Sequence, residues 1–215
     1  MVDYRKSGGP EASAAKISLT KTAPTVSLTK SGAATGTMRV NLNWDSTGGT
    51  GMQKKRRFGP AQAAIDLDLA CLFEMQDGFA GVIQALGESF GDFDDEPYVL
   101  LDGDDRSGSN ADGENLLINL AHIAEIRRLL IFAFIYEGAP SWDKANGIVT
   151  LFPAKGPSIE VRLDDFAGGQ SMCAVALIEN RGGNLVVSRE VKYVSGHIEL
   201  DELYGWDLEW VPGSK

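Results

Sequence analysis

Carboxylate side chains concentrate in three segments of the sequence, and their types and spacing suit a hard cation. The first is Asp45, which directly follows an alternating apolar stretch. The second is the pair Asp66 and Asp68, which share one face of a strand because side chains alternate between faces. The third is the loop 102–114, where acids are interleaved with glycine and serine. Calcium takes about six to eight oxygen ligands and tolerates irregular geometry, so these segments predict a calcium site.

The aspartate pair is the more specific signal of the three. Two like charges about 7 Å apart on one strand face are unfavourable unless a cation neutralises them. The loop does not match an EF-hand, because the sixth position counted from Asp102 is Ser107 rather than Gly, and the twelfth is Gly113 rather than Glu. The predicted site is therefore of another kind. A solvated acidic loop without a ligand is the alternative.

The charge distribution sets these acids apart from the N-terminal part of the chain. The 215 residues carry 20 basic and 30 acidic side chains, a net charge of −10. Residues 1–60 carry +7, the rest −17, and nine acids lie between Asp92 and Glu114 with only Arg106 to offset them. This balance argues against generic nucleic-acid binding and against adsorption to anionic membranes.

Alternating apolar residues predict the elements that must position these acids. The strand signals are separated by Gly, Pro, Asn and Asp clusters, and few long helical patterns interrupt them, which favours an all-β fold, an antiparallel β-sandwich. Short helices are predicted at 119–128 and 197–204. The segments ISLTK and VSLTK predict two neighbouring strands. The predicted strands are 38–44, 65–73, 129–136, 147–152, 158–163, 172–178 and 184–194.

The chain is expected to form one domain over residues 16–211. Residues 1–15 are predicted to be a flexible N-terminal arm, and residues 46–60, with the basic run 54–57, a mobile loop inside the domain. Cys71 shares an apolar strand face with Leu69 and Phe73, and Cys173 shares one with Val175 and Leu177. Both cysteines are therefore predicted to be reduced residues of the core. The sequence shows no secretory signal and no apolar run long enough to span a bilayer, so a cytoplasmic location is expected.

Several separate motifs, in order over about residues 16–211, resemble the tellurium-resistance TerD family and its TerA-like members. They are ISLTK with VSLTK, NLNWD, IDLDL, GDDRSG, DGENLLINL, IRRLLIFAFIYEGAP and GWDLEW. The resemblance implies a calcium-binding β-sandwich of bacterial stress operons linked to tellurite, phage or toxin resistance, with no established catalytic activity. It also implies protein partners from the same stress system, and it leaves membrane association through a complex open.

The resemblance further implies a set of calcium ligands. The acids that match the family motifs are Asp45, Asp66, Asp68, Asp104 and Glu114, with Asp105 and Asp112 as neighbouring candidates. The chain departs from the family pattern where a GDDE-like run is replaced by Asp112-Gly113-Glu114-Asn115, which has one carboxylate fewer. That difference bears on the number and affinity of the sites.

The favoured hypothesis is a non-enzymatic calcium-binding scaffold or sensor. A metal-dependent hydrolase is an alternative that uses the same carboxylates, although the sequence indicates no general base and no substrate pocket. His122 and His197 lie far apart with no motif around either. A second alternative is a plain interaction module that binds a partner through the basic loop at 54–57.

Overall fold

Two β-sheets account for most of the computed structural model, which describes residues 15–31, 34–45, 65–103, 113–138, 142–163 and 168–213. Thirteen strands and two short α-helices lie within those ranges. Each strand pair is antiparallel except that of the first strand, which runs parallel to its neighbour. The predicted all-β sandwich is confirmed.

The first sheet has seven strands in the order β1-β11-β10-β3-β8-β7-β6. Its strands are β1 (Lys16–Ser18), β3 (Thr37–Asn43), β6 (Gly91–Asp92), β7 (Val99–Leu101), β8 (Glu114–Asn119), β10 (Gly147–Phe152) and β11 (Ser158–Leu163). Strand β3 lies at the centre and pairs with β8 on one side and with β10 on the other.

The second sheet has six strands in the order β2-β13-β12-β9-β4-β5. Its strands are β2 (Thr25–Ser27), β4 (Asp66–Met75), β5 (Ala80–Ile83), β9 (Ile126–Glu137), β12 (Met172–Arg181) and β13 (Asn184–Val194). The long strand β9 pairs with β4 and with β12 over most of its length. This pairing makes the three strands the rigid centre of the sheet.

Both faces of β4 are buried, because two separate apolar clusters pack on it. Leu67 and Leu69 belong to the main core, which also contains Leu42 of the first sheet and therefore fills the space between the sheets. Ala70 and Leu72 belong to a second cluster on the outer face. A strand buried on both faces loses the simple alternation of apolar and polar residues, and nine of the ten residues of β4 are buried.

Helix α2 (His197–Tyr204) covers the outer face of the second sheet. It contributes Leu200 to the second cluster and ends at Gly205, which adopts the left-handed conformation with φ of 62°. The other helix, α1 (Trp142–Ala145), is a single turn. Neither helix, among the residues described, has the length or apolarity needed to cross a lipid bilayer.

Most predicted elements are confirmed, but three local predictions are wrong. The predicted helix at 119–128 is a 3₁₀ turn at 120–122, after which β9 begins at Ile126. The ISLTK and VSLTK segments form β1 and β2 on different sheets, because the turn between them crosses from one sheet edge to the other. Leu177 packs in the outer cluster rather than beside Cys173, because a β-bulge at 174–176 reverses the alternation.

The terminal arm and the basic loop fall almost entirely outside the described part of the chain. Of residues 1–15 only Ala15 is described, and none of residues 46–60 is. The single domain over 16–211, the arm and the loop therefore stay predictions. Strands β5 to β8, which are short or lie next to loops, were not predicted.

Candidate metal centre

Strands β3, β4 and β8 bring their acidic residues to one end of the sandwich. The register of the first sheet pairs Leu42 near the end of β3 with Glu114 at the start of β8. The indole nitrogen of Trp44, just after β3, donates a hydrogen bond of 2.8 Å to the carbonyl of Ile65, just before β4. The end of β3 and the starts of β4 and β8 therefore meet. We call Asp45, Asp66, Asp68 and Glu114 together the carboxylate pole.

Glu114 joins the two sheets at the carboxylate pole. Its side chain is buried with 3% exposure, and its Oε2 accepts a hydrogen bond of 2.6 Å from the backbone amide of Leu69. Since Glu114 is in the first sheet and Leu69 in the second, the carboxylate crosses the space between them. It lies next to the backbone of Asp68, the residue that precedes Leu69.

Gly113 positions Glu114 by letting two backbones come together. Its φ is 62°, and a Cβ atom built on it would lie 2.1 Å from the carbonyl oxygen of Leu42, a contact that no side chain can make. Any other residue would push the start of β8 away from β3. Glycine is therefore required at position 113 for steric reasons, independently of the chemistry of the acids on either side.

Asp66 and Asp68 are buried carboxylates at the start of β4. Their exposures are 5% and 0%, and they alternate with Leu67 and Leu69, which face the main core. Ionised carboxylates so far from water are costly unless hydrogen bonds or opposite charges compensate them. Asp45 is half-buried, and its backbone amide donates to the carbonyl of Ala145 in α1 at 2.9 Å.

A polar network behind Glu114 was missed in the sequence. Asn41 in β3 is 9% exposed, and its side-chain amide donates to the carbonyl of Glu114 and to Oδ1 of Asn115. Arg39 donates to the same Oδ1 at 2.9 Å. The asparagines of the NLN sequence at 41–43 were the available signal.

The loop that carries the other predicted ligands begins and ends at the carboxylate pole. Asp104, Asp105 and Asp112 lie outside the described residues. The described ends of the loop are joined by a hydrogen bond of 2.8 Å from the amide of Asp102 to the carbonyl of Asn115. Within the ranges described, no three histidine, cysteine, aspartate or glutamate residues are close enough to hold a metal ion. A complete ligand set would therefore require groups beyond those described.

The donor atoms at the carboxylate pole suit a hard cation. The acids and the neighbouring asparagines offer oxygen atoms, which calcium and magnesium prefer, whereas soft metals prefer thiolates. The thiol of Cys71 lies in the main core, and burial raises its pKa well above the usual range. That shift disfavours the thiolate that metal binding or nucleophilic attack would require.

The two histidines lie on different elements and have separate partners. His122 stacks on Tyr98 at 4.0 Å between ring centroids, and its Nδ1 lies 2.8 Å from Oε1 of Glu125. This hydrogen bond contributes most to lowering the pKa of Glu125. His197 contacts Gln84 through Nε2 at 2.8 Å. Each imidazole ring therefore has a hydrogen-bond partner, and neither partner is a nucleophile that the histidine could activate.

The chain is similar in sequence to a tellurium-resistance protein. Over 203 residues, or 94% of this chain, it is 46% identical to the tellurium resistance protein TerA of an Alcaligenes species. The chain spans 59% of the length of that relative. No family model matches the sequence.

Solved structures support the fold. A crystal structure of a homologue of the telluride resistance protein TerD from Streptomyces coelicolor A3(2) aligns with a TM-score of 0.53 at 15% identity. A crystal structure of a protein of unknown function aligns with a TM-score of 0.57 at 13% identity. Each alignment covers 78% of this chain and 95% of the other. At such identities the likeness concerns the fold alone.

Proposed function

We propose that this protein, which belongs to the tellurium-resistance family of TerA, acts in a Ter-type stress-resistance system. Its role there is that of a calcium-binding scaffold or sensor without enzymatic activity. The relative is named only for tellurium resistance, so calcium and the mode of action rest on the residues of this chain.

The observation that carries the calcium proposal is that Glu114 and Asp68 are both buried where the starts of β8 and β4 meet. One carboxylate comes from each sheet, both are buried, and the hydrogen bond to Leu69 holds Glu114 next to the strand that carries Asp68. Buried carboxylates are costly unless they are compensated, and a divalent ion with oxygen ligands supplies opposite charge. In this proposal Asp45 and acids of the loop 102–114 would supply further oxygens.

Calcium at this position would link the end of β3 with the starts of β4 and β8, and would lie close to the chain segments that adjoin these strands. Strand β3 is followed by residues 46–64, and β8 is preceded by residues 104–112, so both segments adjoin the carboxylate pole. Neutralising the acids would change the charge presented at this end of the sandwich and thereby form or remove a surface for a protein partner of the same stress system.

A metal-dependent hydrolase is the competing function. It would use the same carboxylates, but it also needs a general base within reach of a water molecule. The described histidines are engaged with Glu125 and with Gln84. Turnover of a phosphoester that depends on metal and disappears in an Asp68→Asn variant would replace the scaffold proposal with this one.

A cytoplasmic location belongs to the same proposal, as does recruitment to a membrane through a complex. The basic run 54–57, which lies outside the described residues, is the interaction element in the third hypothesis. Charge reversal of Lys54 to Arg57 that abolishes partner capture and leaves the calcium response intact would assign partner binding to that run.

Growth on tellurite tests the proposed function in cells. A host that lacks the gene for this protein is complemented with the wild-type chain, Asp68→Asn or Asp77→Asn. We expect wild type and Asp77→Asn to restore tolerance and Asp68→Asn to fail, with equal protein levels on immunoblots. Restoration by Asp68→Asn would remove the carboxylate pole from the function, and no loss of tolerance without the gene would overturn the stress role.

A further inference from the structure

A basic pocket lies at the edge of the sandwich where the chain crosses from β1 to β2. It has a volume of about 370 Å³ and is lined by Ser18, Leu19, Thr20, Lys21, Glu160, Arg162 and Arg189. The lining therefore combines three basic side chains with one acid and two hydroxyl groups. The same body of the protein carries a large excess of acids, so a local basic concavity needs a separate explanation.

Most of the negative charge in this pocket is already compensated. Glu160 forms ion pairs with Lys16 and with Arg162, the latter at 3.3 Å. Its side chain is only 10% exposed. The next acids along the chain, Asp164 and Asp165, lie outside the described residues. Among the residues the structure describes, the lining has a formal charge of +2, or +3 when Lys16 is counted with it.

Arg189 is the cation that is most available to a ligand. It is partly buried in β13, and its backbone amide donates to the carbonyl of Pro24 at 2.7 Å, which fixes its position beside the turn. In the described part of the chain its guanidinium forms no ion pair, whereas Arg162 shares Glu160 with Lys16. A partly buried guanidinium next to an open cavity is suited to binding an oxyanion through two parallel hydrogen bonds.

The turn that closes the pocket is held in place by its own hydrogen bonds. The hydroxyl of Thr20 accepts a hydrogen bond from the amide of Ala23 at 3.1 Å and lies 3.1 Å from the hydroxyl of Thr22. The amide of Leu19 donates to the carbonyl of Glu160 at 3.0 Å, which attaches the start of the turn to β11. The backbone of the turn is thus held before any ligand arrives, which lowers the entropic cost of binding.

We propose that this pocket binds a small phosphate-type oxyanion, with Arg189 and Arg162 as the charged contacts and the Ser18 and Thr20 hydroxyls as further donors. A small ligand fits better than a nucleic acid or an anionic membrane, because extended polyanions would also meet the acidic remainder of the surface. The volume suits a free phosphate or a compact phosphomonoester.

The basic pocket is separate from the carboxylate pole. In the second sheet β12 and β9 lie between β13 and β4, so about three strand spacings, or about 14 Å, separate Arg189 from the start of β4. Arg162 lies two strand spacings, or about 10 Å, from β3 in the first sheet. Both distances exceed the screening length of about 8 Å at physiological ionic strength. The proposal therefore does not depend on calcium binding, and the two can fail separately.

Titration of metal-free protein with sodium phosphate, followed by amide chemical shifts at low ionic strength, tests this proposal. We expect shifts to cluster at the residues that line the pocket and to fit a single site. Arg189→Gln should weaken binding about tenfold or more through loss of charge-assisted hydrogen bonds. Arg181→Gln, which removes an exposed arginine paired with Glu179, should leave affinity within about twofold of wild type because its charge lies outside the pocket.

Spectra of each variant without phosphate confirm that it is folded. Equal affinity in Arg189→Gln, or shifts spread evenly over surface lysines, would overturn the proposal, as would an absence of saturable shifts in wild type. Sedimentation with vesicles of phosphatidylglycerol and phosphatidylcholine separates the two sources of phosphate. Vesicle binding that Arg189→Gln abolishes would overturn the assignment to a free anion.

Discussion

The carboxylate of Glu114 in β8 accepts a hydrogen bond from the backbone amide of Leu69 in β4, at 2.6 Å across the space between the sheets. An acid placed among core residues is costly, and here it satisfies a backbone amide of β4 outside the stretch that pairs with β5, since the described β5 pairs only with Cys71–Glu74. Glu114 therefore has a structural role in the protein without metal, and in our account it gains a second role when calcium binds.

Two substitutions of Glu114 separate these roles. Glu114→Ala leaves the amide of Leu69 without its acceptor, so we expect a loss of about 1–3 kcal/mol in the free energy of unfolding without calcium. Glu114→Gln keeps an acceptor oxygen, so its loss should be smaller. Denaturant unfolding of the metal-free variants measures both. Equal losses would show that the charge, rather than the acceptor, matters for the fold.

Calcium should raise the melting temperature of the wild-type protein. A ligand that binds only the folded state stabilises it by about 2.7 kcal/mol at about 100 times its dissociation constant. For a domain of this size that corresponds to about 5–10 °C. Differential scanning fluorimetry of protein stripped with chelator, then supplied with calcium, measures the shift. Glu114→Gln should lose most of it, and a full shift in that variant would remove Glu114 from the site.

Asp201 anchors the C-terminal segment, and its loss should release Trp210. Its carboxylate accepts hydrogen bonds from the amides of Asp207 and Leu208 and from the indole nitrogen of Trp210, at 2.7–3.0 Å. Asp201→Ala leaves these donors without a partner, so we expect a loss of about 2–4 kcal/mol. Tryptophan emission should also shift to longer wavelength.

The control for Asp201 is Asp207→Asn, which changes an exposed acid in the same segment. Asparagine also tolerates the positive φ of 59° at that position. We expect its stability and emission to match wild type. If Asp201→Ala unfolds at the same denaturant concentration as this control, the hydrogen bonds do not hold the segment.

Acidification should destabilise the protein through His197. The centroid of its ring lies 4.8 Å from that of Trp210 and 5.6 Å from that of Phe134. Burial lowers the pKa of His197 below the usual value. The unfolded chain therefore binds a proton more readily than the folded one below about pH 6.5. Stability that is present above that pH is lost as the pH falls towards the folded-state pKa.

The size of this effect is measured by comparing melting temperatures at two pH values. The drop between neutral pH and mildly acidic pH should be smaller in His197→Gln than in wild type, since glutamine does not titrate. His122→Gln serves as the control, because it removes the other histidine, which lies beside Glu125 on a different element. An equal drop in all three proteins would show that His197 does not contribute.

The sequence predicted the strands best where one or both faces have a regular apolar pattern. The bounds of β10, β11 and β13 follow from alternation and from flanking turn residues. Leu177 was placed on the wrong face because a β-bulge adds a residue to the strand, which no local pattern reports. The sheet assignment of β1 and β2 depends on long-range pairing, and that also has no local signal.

The residue types of the candidate site could be predicted from the sequence, but the contacts that hold those residues in place could not. Acidic spacing and motif resemblance identified Asp66, Asp68 and Glu114, and the strand register brings their elements together. The hydrogen bond to Leu69 and the close approach of Gly113 to Leu42 arise from residues distant in sequence. Only the folded chain shows that these acids are buried.

Calorimetric titration of the metal-stripped protein with calcium tests the central claim most directly. We compare wild type with Asp68→Asn and with Asp77→Asn, which changes an exposed acid at the opposite end of β4. The account predicts saturable calcium binding in wild type and Asp77→Asn, and an affinity at least about tenfold lower in Asp68→Asn, because ligand charge sets calcium affinity. Absence of calcium binding in wild type, or equal affinity in all three proteins, would contradict it.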